Sequence, residues 1–328
     1  MKKLFFLLLI AFISLTSNSQ SISKQNFLQF KKIEDSLKIH SKKMIFENEA
    51  IDRFRADSFF IRTFVRALRI QHSFQYLFDS IQTVSKIYSP DSSFRIFTWQ
   101  FMKDEAFYRQ RGAIQIKTND GGLKLFPLFD VSEYTNAATD SVRTPNNWIG
   151  AIYYSIILKT YNNKKFYSLL GYDDNNARSS KKWIDILTFS ETGNPQFGKN
   201  LFVYKQDGLK PRQPTYRFVM EFKKDARARL IFDEDEDMIV FDHLISEDGD
   251  INKRYTLIPA GDYEGFKWKD GQWIHVDKIN TQILKDGQAP VPFPIKDASG
   301  KSDEEKLKQQ SIENAKKKNV NQNDQREY

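Results

Sequence analysis

The residues that could do chemistry here are four histidines and several clustered acids. His40, His72, His243 and His275 lie too far apart for a His-x-x-x-His or His-Glu-x-x-His metal pair. The chain has no cysteine, which excludes a thiol nucleophile, cysteine zinc sites, disulfides and a lipobox for lipidation. No Gly-x-Ser-x-Gly elbow is present, so a serine triad has no local signature. His243 follows Asp242, but neighbours on a strand point to opposite faces, which argues against a direct Asp–His pair. Gly121-Gly122 stands alone without a phosphate-binding Gly-x-x-x-x-Gly-Lys.

Two acidic runs begin like calcium loops. Asp233, Asp235 and Asp237 alternate, yet Met238 stands where the loop needs Gly and Leu244 where it needs a bidentate Glu. Asp248, Asp250 and Asn252 fail in the same way, at Lys253 and Pro259. Both read as acidic hairpin turns, and neither a metal nor a cofactor is expected. Paired carboxylates for glycoside chemistry need no sequence signature; Asp173, Asp174, Glu221 and Asp242 are the acids that could serve.

One segment looks suited to binding. The strand Phe166–Leu170 runs into Gly171 and then Tyr172, Asp173, Asp174, Asn175 and Asn176, with Arg178, Lys181 and Lys182 before Trp183 restarts the pattern. A polar connection of about ten residues is longer than a hairpin needs, and long loops on a rigid sheet carry binding groups. Its carboxylates and amides beside Tyr172 suit a polyhydroxylated ligand, such as an envelope glycan, or a protein partner.

The elements that would hold such a site follow from periodicity. Lys2 and Lys3, the short apolar run Leu4–Ile13 and the small residues ending at Ser19 read as a secretory signal over 1–19, too short to span a bilayer. Loss of the leader with Lys2 and Lys3 takes the formal charge from +8 to +6, too small an excess in a mature chain of roughly 300 residues to imply nucleic acid. Over 20–89 the spacing predicts helices, with Phe27, Phe30, Ile33 and Leu37 on one stripe and Phe60, Phe64 and Leu68 on another. Asp57 looks like an N-cap before the second stripe. Arg55, Arg62, Arg66 and Arg69 share a face that suits acidic lipid headgroups or an acidic protein, or is simply solvated.

Over 90–288 the period is two, in about a dozen short runs punctuated by Asp120-Gly121-Gly122, Asn162-Asn163, Gly193-Asn194-Pro195, Asp248-Gly249-Asp250 and Asp270-Gly271. This predicts an α+β chain with a large antiparallel β-meander that closes or doubles as a barrel or sandwich, with a small β-propeller as the alternative. Tyr153, Tyr154, Tyr167, Tyr172, Trp183, Trp268 and Trp273 could form aromatic surface or fill the core. Residues 289–328 begin with a Pro-rich linker and continue as a polar stretch with few apolar residues, which predicts a disordered tail.

Phe94–Trp99, Tyr167–Asp173 and Ile239–Leu244 together resemble a group of exported β-rich proteins of Bacteroidetes type to which no activity is attached. The resemblance spans about 85–278 and implies export and a β-rich domain; it carries over no catalytic residue. The expectation is a periplasmic or extracellular envelope protein with a binding or structural role, the alternative being a cofactor-free, glycan-directed hydrolase with paired carboxylates.

Overall fold

Ser23 opens the first described helix, its Oγ accepting from the Asn26 N–H at 3.1 Å. The computed structural model describes residues 22–104 and 107–279, with Glu305, Lys306, Lys308, Gln309 and Ile312 beyond them. The stretch 1–19 read as a signal, the Pro-rich linker and most of the expected tail therefore lie outside the described residues. Helix α1 (Lys24–Phe46) and helix α2 (Ala50–Leu68) form an antiparallel pair whose inner stripes are Phe30, Leu37 and Met44, and Phe60, Phe64 and Ala67.

Strands β1 (Ser85–Tyr88), β2 (Phe94–Met102), β3 (Tyr108–Ile116) and β4 (Lys124–Phe129) form the first sheet, in chain order and antiparallel throughout. β1 falls inside the stretch expected to be helical; at four half-buried residues it is too short for a period to show. Phe97, Trp99 and Phe101 of β2 pack into the helices, while Phe94 and Ile96 face the opposite way. The helical segment is therefore not a separate domain, because it shares a core with this sheet. Asp57 is not a cap either. It sits in the middle of α2, buried, accepting from the Trp99 Nε1–H at 3.0 Å and paired with Arg111.

The second sheet comprises β5 (Ile152–Tyr161), β6 (Lys164–Asp173), β7 (Ser179–Phe189), β8 (Pro195–Phe197) and β10 (Phe218–Lys223), in the order β10-β7-β6-β5 with β8 beside β7. The third comprises β9 (Phe202–Val203), β11 (Leu230–Asp233), β12 (Met238–Ser246), β13 (Leu257–Lys269) and β14 (Gln272–Val276), in the order β11-β12-β13-β14-β9. Asn162-Asn163 and Asp270-Gly271 make two-residue hairpin turns with positive φ at both positions.

The expected meander is thus divided among three open sheets, and no closed barrel forms among the described residues. One pairing, β14 with β9, is parallel. Tyr167, Leu169 and Trp183 face the first sheet, while Phe166, Leu170 and Ile184 meet Phe241, Phe266 and Trp273 of the third. Both faces of the second sheet are consequently buried, and each buried Phe or Leu contributes about 1.5–3 kcal/mol. β13 is one long strand interrupted by an irregularity: Asp242 pairs with Tyr263 but Leu244 with Pro259.

Candidate functional site

The Tyr172–Asn176 segment is shorter than its polarity suggests. β6 runs to Asp173 and β7 restarts at Ser179, so only 174–178 connect them. Lys181 and Lys182 belong to the strand, where they pair with Glu221 and Met220 of β10. The acids and amides of this turn bind the protein itself. Asp173, 5 % exposed, accepts from Gln110 Nε2 of β3 and from the Asn175 N–H. Asp174 accepts from Gln100 Nε2 at 2.7 Å, from the Tyr172 hydroxyl at 2.7 Å and from Lys224 Nζ at 2.8 Å. Asn175, at φ 55°, donates to Ser179 Oγ and Glu221 Oε1, while Asn176 Oδ1 accepts from the Arg178 and Ser179 N–H groups.

The turn therefore fastens the first sheet to the second and braces Glu221. Burial is the main force on Asp173; with help from Asp130 and Asp174 it outweighs the Asn175 bond and Lys181 and pushes the carboxyl up to about 6. Among the four acids that could have paired for glycoside chemistry, Asp173 and Asp174 are held in this turn. Glu221 accepts from Ser179 Oγ at 2.5 Å, and Asp242 accepts from the Arg229 N–H.

A second cluster lies at the irregularity in β13. Glu264, 4 % exposed, is met by His243 Nδ1, by His275 Nε2 at 2.5 Å and by Lys210 Nζ at 2.7 Å. Burial by itself would raise the Glu264 carboxyl, but these three donors outweigh it and hold the group down to about 2. Lys210 is buried too, and its bonds to Asp207 and Glu264 override the downward pull of desolvation and raise its pKa. His243 thus finds its carboxylate across the β12–β13 pair and not in Asp242, its sequence neighbour.

Lys210 belongs to the connection between β9 and β10, which this cluster fixes from beneath. Asp207 Oδ1 accepts from the Leu209 and Lys210 N–H groups, both at 2.9 Å. Arg254 donates to the Gly208 carbonyl at 2.7 Å and to the Leu209 carbonyl at 3.1 Å, and the Tyr204 hydroxyl donates to the Pro211 carbonyl at 2.8 Å. Against this connection opens a cleft of about 420 Å³, walled by Leu209, Lys210, Arg212, Val219, Glu221 and Arg254 among others. Arg212 stands exposed at it. Sequence alone offered no signal for Lys210, Arg212, Arg254 or Glu264, which fall in unremarkable contexts.

The remaining motifs settle locally. Asp233 and Asp248 accept from backbone N–H groups two residues on, at Asp235 and Asp250, as turn-forming acids do. Among the described residues no group of three or more His, Asp or Glu is arranged to hold a metal. His40 stacks on Phe59, with ring centroids 5.4 Å apart. Tyr153, Tyr167, Trp183 and Trp273 are buried, so the expected aromatic set forms no continuous surface. No described helix is long and apolar enough to cross a membrane. No protein family, curated protein or solved structure matches the chain.

Proposed function

We propose that this is an exported envelope protein that binds a small acidic saccharide in the cleft beside Lys210, Arg212 and Arg254. The observation that carries the reading is the rigidity of the cleft wall: the 204–212 connection is held by Glu264 from below and by Arg254 from the side. A wall fixed before the ligand arrives avoids the ordering cost of binding. The cleft pairs guanidinium groups, which bond carboxylates and hydroxyls, with the apolar faces of Leu209, Pro211 and Val219. Tyr172–Asn176 take part indirectly, since Asn175 and Ser179 orient Glu221, which also lines the cleft. Export is inferred from Lys2 to Ser19, and the resemblance to exported Bacteroidetes-type proteins agrees with it.

Calorimetric titration with galacturonic acid oligomers and with neutral galactose oligomers tests the binding. Acidic oligomers should bind and neutral ones bind more weakly, and Arg212→Ala should abolish the difference at unchanged thermal stability. Absence of binding by either series would overturn the reading. Sequencing the N-terminus of protein recovered from the cell envelope checks export; a chain that begins at Met1 and stays in the cytoplasm would refute it.

A further inference from the structure

The outer face of the helical pair is neither polar nor plain. Along α1, Leu28, Ile39 and Phe46 recur at spacings of eleven and seven residues, which places them on one stripe opposite the core. They are 60 %, 56 % and 72 % exposed. Lys24, Lys31 and Lys42 flank that stripe on one side and Lys32 and Lys43 on the other, all exposed. On α2 the exposed Phe59 carries the Arg62 guanidinium at 4.8 Å from its ring and stacks with His40 of α1, between Arg55 and Arg66. Across 24–69, ten exposed Lys and Arg face four acids that are exposed or half-buried, Asp35, Glu47, Glu49 and Asp52.

We propose that this face rests on an anionic phospholipid surface. Charge complementarity selects an acidic partner, because cations border Leu28, Ile39, Phe46 and Phe59. The arrangement of those side chains selects lipid over protein. A protein hot spot fills a desolvated pocket with clustered anchors, whereas Leu28, Ile39 and Phe46 stand about two turns or more apart, each between lysines. Isolated apolar wedges among long cationic stems fit a headgroup layer: the wedges enter the acyl boundary and the stems reach up to phosphates. The inference is independent of the cleft, which lies among the second and third sheets.

Vesicle co-sedimentation of the full chain decides it. Vesicles of phosphatidylcholine are compared with vesicles containing about 30 % phosphatidylglycerol, at salt between about 0.1 and 0.5 M. The parent should bind the anionic vesicles at least about tenfold more tightly, and lose that preference at high salt. Leu28→Ser/Ile39→Ser/Phe46→Ser should abolish most of the binding. Lys32→Gln/Lys42→Gln should weaken it about fivefold per charge removed. All five positions are exposed, so thermal unfolding of both variants should match the parent, which keeps a loss of binding separate from a loss of fold. A leader retained at the N-terminus is common to every arm, so binding that survives the apolar substitutions belongs to it and refutes the proposal. Equal binding to both vesicle types would refute it too, as would binding to poly-glutamate without binding to vesicles.

Discussion

Replacing Glu264 by Gln should cost about 3 kcal/mol at neutral pH. The folded protein holds this carboxyl at about 2 against an ordinary value of 4.5, and each pKa unit corresponds to ~1.36 kcal/mol. A depressed carboxyl stabilises the fold fully above its unfolded value and loses that contribution as pH falls through the folded one. The parent's advantage over the variant should therefore be complete above about pH 5 and shrink towards pH 2. Gln keeps an acceptor oxygen but no charge, leaving Lys210 to Asp207 alone and the two imidazoles without their anion. Urea unfolding followed by tryptophan fluorescence reads this directly, since at ~3 kcal/mol per molar the midpoint should fall by about 1 M at pH 7. Adding Lys210→Met removes a buried cation left with one carboxylate in place of two, while Asp207 keeps its backbone donors, and should recover at least about 1 kcal/mol. A midpoint shift below about 0.3 M at pH 7, or a difference that does not shrink on acidification, would refute the argument.

Three further outcomes follow from the same physics. Asp173 is the opposite case: its carboxyl is raised to about 6 from 3.8, so the parent loses stability as pH rises through that interval. Asp173→Asn should flatten this loss and raise the melting temperature by about 4 °C or more at pH 7.5 while changing little at pH 4; a lower melting point at pH 7.5 would contradict it. Arg217, fully buried, sits 3.3 Å from Asp185 and donates to the carbonyls of Ser141 and Phe197; Arg217→Met should cost about 3–5 kcal/mol in chemical denaturation. Deleting Lys296–Tyr328, whose composition offers little apolar surface, should leave the calorimetric midpoint within about 2 °C of the parent.

Local periodicity made much of the fold legible. Phe27 to Leu37 and Phe60 to Leu68 announce helices because a 3.6-residue repeat is printed in the chain itself, and Asn162-Asn163 announces a turn because its backbone demands positive φ. The same reasoning erred where context overrides type. Asp57 has the chemistry of a cap, but it sits mid-helix, where Trp99 and Arg111 of the sheet, more than forty residues away, hold its carboxylate. The polarity of Lys181 and Lys182 disguised the first residues of β7, so the Tyr172–Asn176 connection looked twice its length.

What the sequence by itself determined is the alternation of the longer strands, the helical stripes at Phe27–Leu37 and Phe60–Leu68, and the exclusion of thiol and motif-borne chemistry. Only the tertiary structure decided how the fourteen strands among the described residues divide into three sheets, and hence which side chains meet. Lys210, His243, Glu264 and His275 converge from four separate stretches of chain. Alternation says which face a residue takes but not which strand lies across from it, because register is fixed by burying whole faces at once.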